Sequence, residues 1–407
     1  MMFTTKILLP LLLGVSVHAF PPPKTCQMED SYPPDDSDLV PRLAINLDLP
    51  MADRWTEFVT AQTDNMIAMI DQFLGRLEVG PWGTIENLLA QIDENSDMIL
   101  GKMQYGEEIR GISVATGIDL AEMIVFNLGY ELMGVCTSIV AQDVDGHMYH
   151  GRNLDFGLFL GYNATDGPDE DFQWKLTELL RPLVAIVDYS QNGSTLYSGV
   201  VYAGYVGLLT AVRQNRETVT VDSRFDDNYD KYLTEWLTNP ADDAQLLTHM
   251  LREGIEDETI SNNFQSYVDH VASTDLVGPS YAIVGGPTAG DGAVITLGPN
   301  MTEAIDVWYI PDALPADADA AGKFYVLETN YDHWDPAPIV DDRRTAAEDC
   351  MDNYVTATGV TKEAIYNVLH ASPNRNRLTT YTALMDCVDG TIEASLQYCW
   401  EESCVLW

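Results

Sequence analysis

Residues 136–156 read CTSIVAQDVDGHMYHGRNLDF, from Cys136 through the pair Asp145-Gly146 to Phe156. Two β-rich runs, Thr137 to Ala141 and His147 to Leu154, flank that pair, and Asp-Gly between such runs is a favoured centre for a two-residue type I′ hairpin turn. With Asp145 and Gly146 as the loop, Val144 faces His147 and Cys136 faces Asp155, so a thiol and a carboxylate meet on one face. The same pairing sets Ser138 opposite Asn153 on that face and Arg152 on the other, and Arg152 then reaches the thiol only through a bulge or a strand end. A one-residue change in loop length would break this pairing.

Ahead of Cys136 the pattern is helical. Met66, Ile70, Phe73, Leu74 and Leu77 recur at spacings of three and four, and the segments Ile85 to Met103 and Leu120 to Leu132 repeat that periodicity around Gly106 and Gly111. Residues 40 to 134 are therefore expected to be mostly α. Beyond Cys136, short β-rich runs follow one another: Leu183 to Tyr189, Thr195 to Ala203, Thr218 to Val221, Tyr281 to Val284, Ala293 to Thr296, Ile305 to Tyr309 and Phe324 to Thr329. Helical windows return at Tyr229 to Leu251 and Thr361 to Leu369, before two closing strands, Thr380 to Met385 and Thr391 to Tyr398. The predicted class is α+β with antiparallel sheets, and the composition break near 135 is its only strong boundary.

The chain has 407 residues, 46% of them hydrophobic, which suffices for a large core. Its 63 acidic and 21 basic side chains give a formal net charge of −42, a surface that repels phosphate backbones and disfavours nucleic acid as a partner. Lys6, the run Ile7 to Leu13 and the small-residue site Val17-His18-Ala19 read as a secretory signal peptide over residues 1–19. No later stretch has the roughly 20 unbroken apolar residues of a membrane helix. Asn163, Asn192 and Asn300 each open a glycosylation triplet, as the secretory route allows. In an oxidising compartment some of Cys26, Cys136, Cys350, Cys387, Cys399 and Cys404 should pair. Cys399 and Cys404 enclose a short loop suited to a local disulfide, while spacing leaves the other partners open.

Several chemistries are disfavoured. His147 and His150, three apart on a strand, point to opposite faces and make a poor metal pair, so no metal site is expected. Gly285-Gly286-Pro287 through Gly290-Asp291-Gly292 lacks a phosphate-loop lysine and joins two strands, so it reads as a hairpin loop, and no cofactor is expected. The GxSxG elbow of serine α/β-hydrolases is missing from the sequence.

Cys136 to Ala141 followed by HMYHGRNLDF resembles the acid ceramidase family of N-terminal nucleophile hydrolases. Ala203-Gly204-Tyr205-Val206-Gly207, Glu328-Thr329-Asn330-Tyr331-Asp332-His333-Trp334 and Asp341-Asp342-Arg343-Arg344-Thr345 follow in that family's order, so the similarity spans nearly the whole mature chain. The resemblance implies an αββα sandwich of antiparallel sheets preceded by a mainly helical α-subunit. It places the α-subunit at residues 20–135 and the catalytic β-subunit at 136–407, separated by self-cleavage between Val135 and Cys136. The thiol would attack the Val135 carbonyl, an N-to-S shift would give a thioester, and hydrolysis would free the α-amine of Cys136. That amine, ordinarily of pKa about 8, then serves as the base. Carried over position by position, Cys136 is nucleophile and base, Arg152 and Asp155 hold and polarise the amine and the scissile region, and Asn330 donates to the oxyanion. Arg343 completes the set, although its twin Arg344 is chemically equivalent and the run with Asp341 and Asp342 would otherwise read as a surface ion-pair cluster. A Cys26 to Cys350 bridge between the subunits is also implied, which leaves Cys387 buried and unpaired.

Two sister activities share these motifs: hydrolysis of ceramide to sphingosine and fatty acid, and hydrolysis of N-acylethanolamines at acid pH. Phe156 to Gly161 and the cysteine framework favour ceramide, while Glu328 to Pro338 looks closer to the amidase. The ceramidase reading is taken, with a lysosomal location and a saposin-like lipid-presenting helper implied by the family. The acidic surface predicts membrane engagement only at acid pH, where part of the Asp and Glu population is neutral and histidines are charged. A silent lipid carrier would keep the acyl pocket without the chemistry, and the intact set Cys136, Arg152, Asp155, Asn330 and Arg343 argues against it.

Overall fold

A computed structural model describes residues 24–399 apart from 76, 78–81, 157–174, 227, 300, 302, 312–323 and 340. The signal segment, Asn163, Asn300 and Cys404 lie outside the described residues. The N-terminal third is helical, as its periodicity predicts: Thr56–Leu74 buries Phe58, Met66, Met69, Ile70, Phe73 and Leu74 on one stripe. The expected Ile85 to Met103 segment breaks at Asn95 into helices Ile85–Glu94 and Ser96–Lys102, because Asn95 leaves helical geometry at ψ 10°. Helix Gly106–Thr116 lies so close to the turn Met51–Asp53 that a Cβ on Gly111 would sit 2.0 Å from the Ala52 carbonyl oxygen.

Two sheets follow. Strands β2 (Gly134–Gln142), β3 (Met148–Phe156), β11 (Tyr325–Glu328), β12 (Thr379–Asp386) and β13 (Thr391–Leu396) form a five-stranded antiparallel sheet in the order β11-β2-β3-β12-β13. The second has the order β1-β4-β5-β6-β7-β8-β9-β10, with β1 (Arg42–Asn46), β4 (Val184–Gln191), β5 (Ser194–Tyr202), β6 (Thr210–Arg213), β7 (Glu217–Ser223), β8 (Ser280–Gly285), β9 (Gly292–Leu297) and β10 (Asp306–Tyr309). The sheets face each other through β2 and β7, helix Lys362–His370 covers β3 and β12, and helices Leu247–Glu256 and Phe264–Ala272 cover the far side of the larger sheet. The layers are therefore αββα. Every strand expected from Cys136 onward is present, and the glycine-rich segment is the β8–β9 hairpin loop.

The expectation of a mostly helical segment over 40 to 134 missed β1, which pairs parallel with β4 at the edge of the larger sheet. One continuous core joins Met66, Phe73 and Ile124 to Cys136, Leu154 and Val200, so the composition break near 135 divides the sequence pattern but not the packing. Also missed were β6 and the helices Lys175–Leu180, Phe264–Ala272 and Arg343–Cys350. The window Tyr229 to Leu251 is two helices, Tyr229–Thr238 and Leu247–Glu256, with Pro240 in the gap.

The hairpin register differs from the expectation by one residue. Its loop has three residues, Val144, Asp145 and Gly146: the Asp143 amide donates to the His147 carbonyl at 3.0 Å, and Gly146 donates to the Asp143 carbonyl at 3.0 Å. Asp143 Oδ1 accepts from the amides of Asp145 and His147, and Gly146 takes the left-handed φ of +83° that closes such a loop. The Asp143 side chain thus substitutes for a ladder position and selects the longer loop. Cys136 consequently faces Leu154, Val135 faces Asp155, and Ser138 faces Arg152.

Candidate active site

The one-residue shift decides which side chains meet. Cys136, Ser138, Arg152 and Leu154 share the face turned to the other sheet, so Arg152 reaches the thiol directly and needs no bulge. Arg152 Nη2 lies 2.6 Å from Cys136 Sγ and donates to the Val221 carbonyl at 3.2 Å, while Nη1 donates to the Leu209 carbonyl at 2.8 Å and to Thr210 Oγ1 at 3.0 Å. A guanidinium held on three acceptors of the opposite sheet places fixed positive charge at the sulfur, which favours thiolate.

Asp155 lies on the other face, towards the outer helix layer, and meets the site there instead of opposite Cys136. Arg343 links them. The Asp342 side chain caps the helix Arg343–Cys350 through the Thr345 amide at 3.0 Å, and its first residue then points into the sheet. Arg343 donates from Nη1 to the Cys136 carbonyl and, at 3.2 Å, to Thr137 Oγ1; from Nη2 it donates to Asn330 Oδ1 at 2.7 Å. It pairs with Asp341 at 2.7 Å and lies 3.6 Å from Asp155. Burial pushes the Asp155 carboxyl up to about 6 against the pull of Arg343, and Asn376 donates to its Oδ2 at 3.0 Å.

The twin arginines are thereby told apart. Arg344 turns away, donating to the carbonyls of Asp332 and Asp335 and stacking 4.8 Å from the Tyr331 ring. Asn330 follows β11 and faces Cys136, with its Oδ1 accepting from the Cys136 amide at 2.9 Å. Its Nδ2 donates to the Ser223 carbonyl at 2.7 Å, so here the side chain offers an acceptor to the nucleophile's nitrogen while its donor is engaged elsewhere. Of the four companions singled out in the sequence, Arg152, Asn330 and Arg343 touch the fully buried Cys136 and Asp155 joins it through Arg343.

Two carboxyl groups beside Cys136 escaped the sequence reading: Asp222, which accepts from Ser138 Oγ at 2.9 Å, and Glu328, the ladder partner of Ser138. Their signal was faint. Asp222 stands one residue beyond an expected strand, and Glu328 lies inside a quoted motif without an assigned role. His150 sits between Thr218 and Thr220 at 2.9 and 3.1 Å, and burial holds its pKa down to about 3. His147 closes the hairpin loop opposite Asp143, just ahead of β3, and lies 2.7 Å from Asp386. Among the described residues no His, Cys, Asp and Glu cluster is placed to hold a metal.

Cys26 and Cys350 form a disulfide that ties the segment before Val135 to the helix Arg343–Cys350. Cys387 is free and buried, its thiol pushed up to about 12 by burial, and Cys399 is disulfide-bonded. Asn192 is exposed at the β4–β5 turn.

Two facing sheets between helices, with a guanidinium-bound cysteine on a central strand, are the frame of an amide-hydrolysing enzyme. No family model matches the chain. It is 34% identical over 386 residues to acid ceramidase of Mus musculus, covering 93% of this chain and 92% of that protein. With acid ceramidase of Homo sapiens it shares 34% identity over 402 residues, covering 97% and 95%. The chain belongs to the acid ceramidase family. Among solved structures it is similar to an N-acylethanolamine-hydrolyzing acid amidase ortholog of Caenorhabditis elegans, with 28% identity and a TM-score of 0.48 over 62% of this chain and 93% of that one.

Proposed function

We propose that this protein hydrolyses ceramide to sphingosine and free fatty acid at acid pH, after cleaving itself before Cys136. The observation that carries the mechanism is that Cys136 is gripped at three atoms: Arg152 at Sγ, Asn330 at the backbone nitrogen and Arg343 at the carbonyl oxygen. In the continuous chain the nitrogen held by Asn330 is the leaving group of the Val135 to Cys136 bond. Attack of Sγ on the Val135 carbonyl, transfer of the acyl group to sulfur and hydrolysis of the thioester release that nitrogen as a primary amine.

The amine stays opposite Asn330 Oδ1, which orients its lone pair, and accepts the thiol proton. Thiolate then attacks the ceramide amide carbonyl, and the ammonium returns the proton to the departing sphingosine nitrogen. Water, activated by the same amine, hydrolyses the acyl thioester. Asp155 acts through Arg343, whose charge it steadies, as a positioning residue. Once Nδ2 of Asn330 turns from the Ser223 carbonyl, it can donate to the oxyanion, a contact worth about 3 to 4 kcal/mol in comparable acyl transfers.

The Cys26 to Cys350 disulfide would keep residues 20–135 and 136–407 linked after the cut. A lysosomal setting, docking on its membrane at acid pH and help from a saposin-like lipid-presenting protein fit the family and the signal-like N-terminus. Purified precursor incubated at acid pH, followed by intact mass and N-terminal sequencing, should yield a chain starting at Cys136, with Cys136→Ala left uncut. Ceramide should then be hydrolysed faster than N-acylethanolamine. The reverse preference would move the assignment to the sister amidase, and stoichiometric ceramide binding by an uncut, inactive chain would make it a carrier.

A further inference from the structure

Between the two facing sheets lie two carboxyl groups that the reaction above does not use, one from each sheet. Asp222, from β7, accepts from Ser138 Oγ at 2.9 Å, and Glu328, from β11, is directly opposite Ser138 on the same face. Both are buried, and one oxygen of each, Asp222 Oδ2 and Glu328 Oε2, has no hydrogen-bond partner. Native proteins rarely leave ionised carboxylate oxygens so placed, because a dry, unpaired charge costs more than a proton.

The surrounding charges do not balance two anions. From β3 come Arg152, 3.8 Å from Asp222 Oδ1, and His150, which burial keeps neutral. From the helix Arg343–Cys350 come Arg343, engaged with Asp341 and Asp155, and Arg344, engaged with two backbone carbonyls. Beyond the end of β7, Arg224 is bound by both oxygens of Asp332, which also accepts from Tyr281 of β8 at 2.7 Å. Arg152, 2.6 Å from the Cys136 sulfur and 3.8 Å from Asp222, is shared between thiol and carboxyl.

We propose that Asp222 and Glu328 form a proton-holding carboxyl pair that positions Arg152 on Cys136 Sγ and confines the reaction to acid pH. With the pair protonated, the guanidinium directs its charge to the sulfur. When the pair ionises, Asp222, already 3.8 Å away, competes for Arg152 and weakens its hold on the thiolate. Burial pushes Asp222 up to about 7 and Glu328 well above the usual carboxylate range, which is the direction this arrangement needs.

The pH readout rests on the ceramide reading, so the test adds one that does not. Wild type, Asp222→Asn and Glu328→Gln are compared by ceramide hydrolysis from about pH 4 to pH 8 and by the infrared band of protonated carboxyl groups at about pH 5. The wild type should show the band, and each variant should lose part of it. The ratio of neutral to acid rate should rise roughly five-fold or more in Asp222→Asn, whereas a merely structural role would lower thermal stability without moving that ratio. Superimposable pH profiles, or a band unchanged in both variants, would overturn the proposal. A band lost as expected, with no ceramide hydrolysis by the wild type at any pH, would keep the pair and remove the substrate reading.

Discussion

Two buried charge clusters in this molecule are built on opposite terms. In the first, Glu108 of helix Gly106–Thr116 accepts from Trp55 Nε1 at 2.6 Å, from Arg54 at 2.9 Å and from two nitrogens of Arg252 at 2.6 and 2.9 Å. Arg252 also pairs with Glu256 at 2.9 Å and stacks 3.8 Å from the Tyr105 ring. Burial opposes the charge on Glu108, yet Arg252 and these donors hold its carboxyl below the usual range. In the second, around Cys136, burial prevails and Asp155, Asp222 and Glu328 are all pushed up. Saturated partners make a buried charge structural, and missing ones leave a group that must exchange protons. The first cluster joins residues from both sides of Val135, so it fastens the helical segment to the sheets across the proposed cut.

The comparison breaks most sharply at Cys136. Cys136→Ala should leave the chain uncut and remove measurable hydrolysis while the protein still unfolds cooperatively, as intact mass, product assay and a denaturation curve would show. Asn330→Ala should lower kcat about 100- to 1000-fold, with a smaller change in KM, in steady-state assays of processed enzyme. Glu108→Ala should do the converse: a stability loss of about 3 to 5 kcal/mol in urea unfolding, because buried Arg252 loses its two-nitrogen partner and keeps only Glu256, with kcat per folded molecule retained. Equal effects of Glu108→Ala and Asn330→Ala on both readouts would erase the distinction.

Stability against pH gives a gentler test in which the two regions pull apart. Asp155 rises to about 6 and Asp222 and Glu217 to about 7, so their contribution is full below the unfolded carboxyl values and is lost as pH rises through 6 to 7. His150 and His249 fall to about 3 and His370 to about 4, so their contribution is full above the unfolded histidine value and is lost as pH falls towards those numbers. His249 packs 5.6 Å from Tyr105, beside the saturated cluster. Tm should therefore peak at about pH 5 and drop by several degrees by about pH 7.5 in calorimetry, and Asp222→Asn should flatten the neutral side alone.

Much of this was legible in the chain. β-rich runs bounded by Gly and Asp located every strand from β2 onward except β6, which is four residues long and carries little periodic signal. The helical stripe of Met66, Ile70 and Phe73 was equally plain. β1 was not, because Arg42 to Asn46 is largely exposed and becomes a strand through its parallel pairing with β4, about 140 residues away. The hairpin register failed for a local reason: the pair Asp145-Gly146 suits a two-residue loop, but Asp143 accepts two amides and makes a three-residue loop the better-satisfied one.

Residue types and short-range order give an acidic α+β chain, and its motif resemblance singles out Cys136 with Arg152, Asp155, Asn330 and Arg343 as the proposed catalytic set. Those are properties of motif chemistry and local periodicity, which survive without knowledge of distance. Folding assigns the tasks: Arg152 rather than Asp155 at the sulfur, Arg343 rather than Arg344 at the backbone, and Asp222 with Glu328 beneath Ser138. Each of those choices depends on a one-residue register or on strands brought together across 80 to 200 residues of chain. Burial then sets the proton affinity of every group involved, and burial belongs to the packed molecule, not to any stretch of sequence.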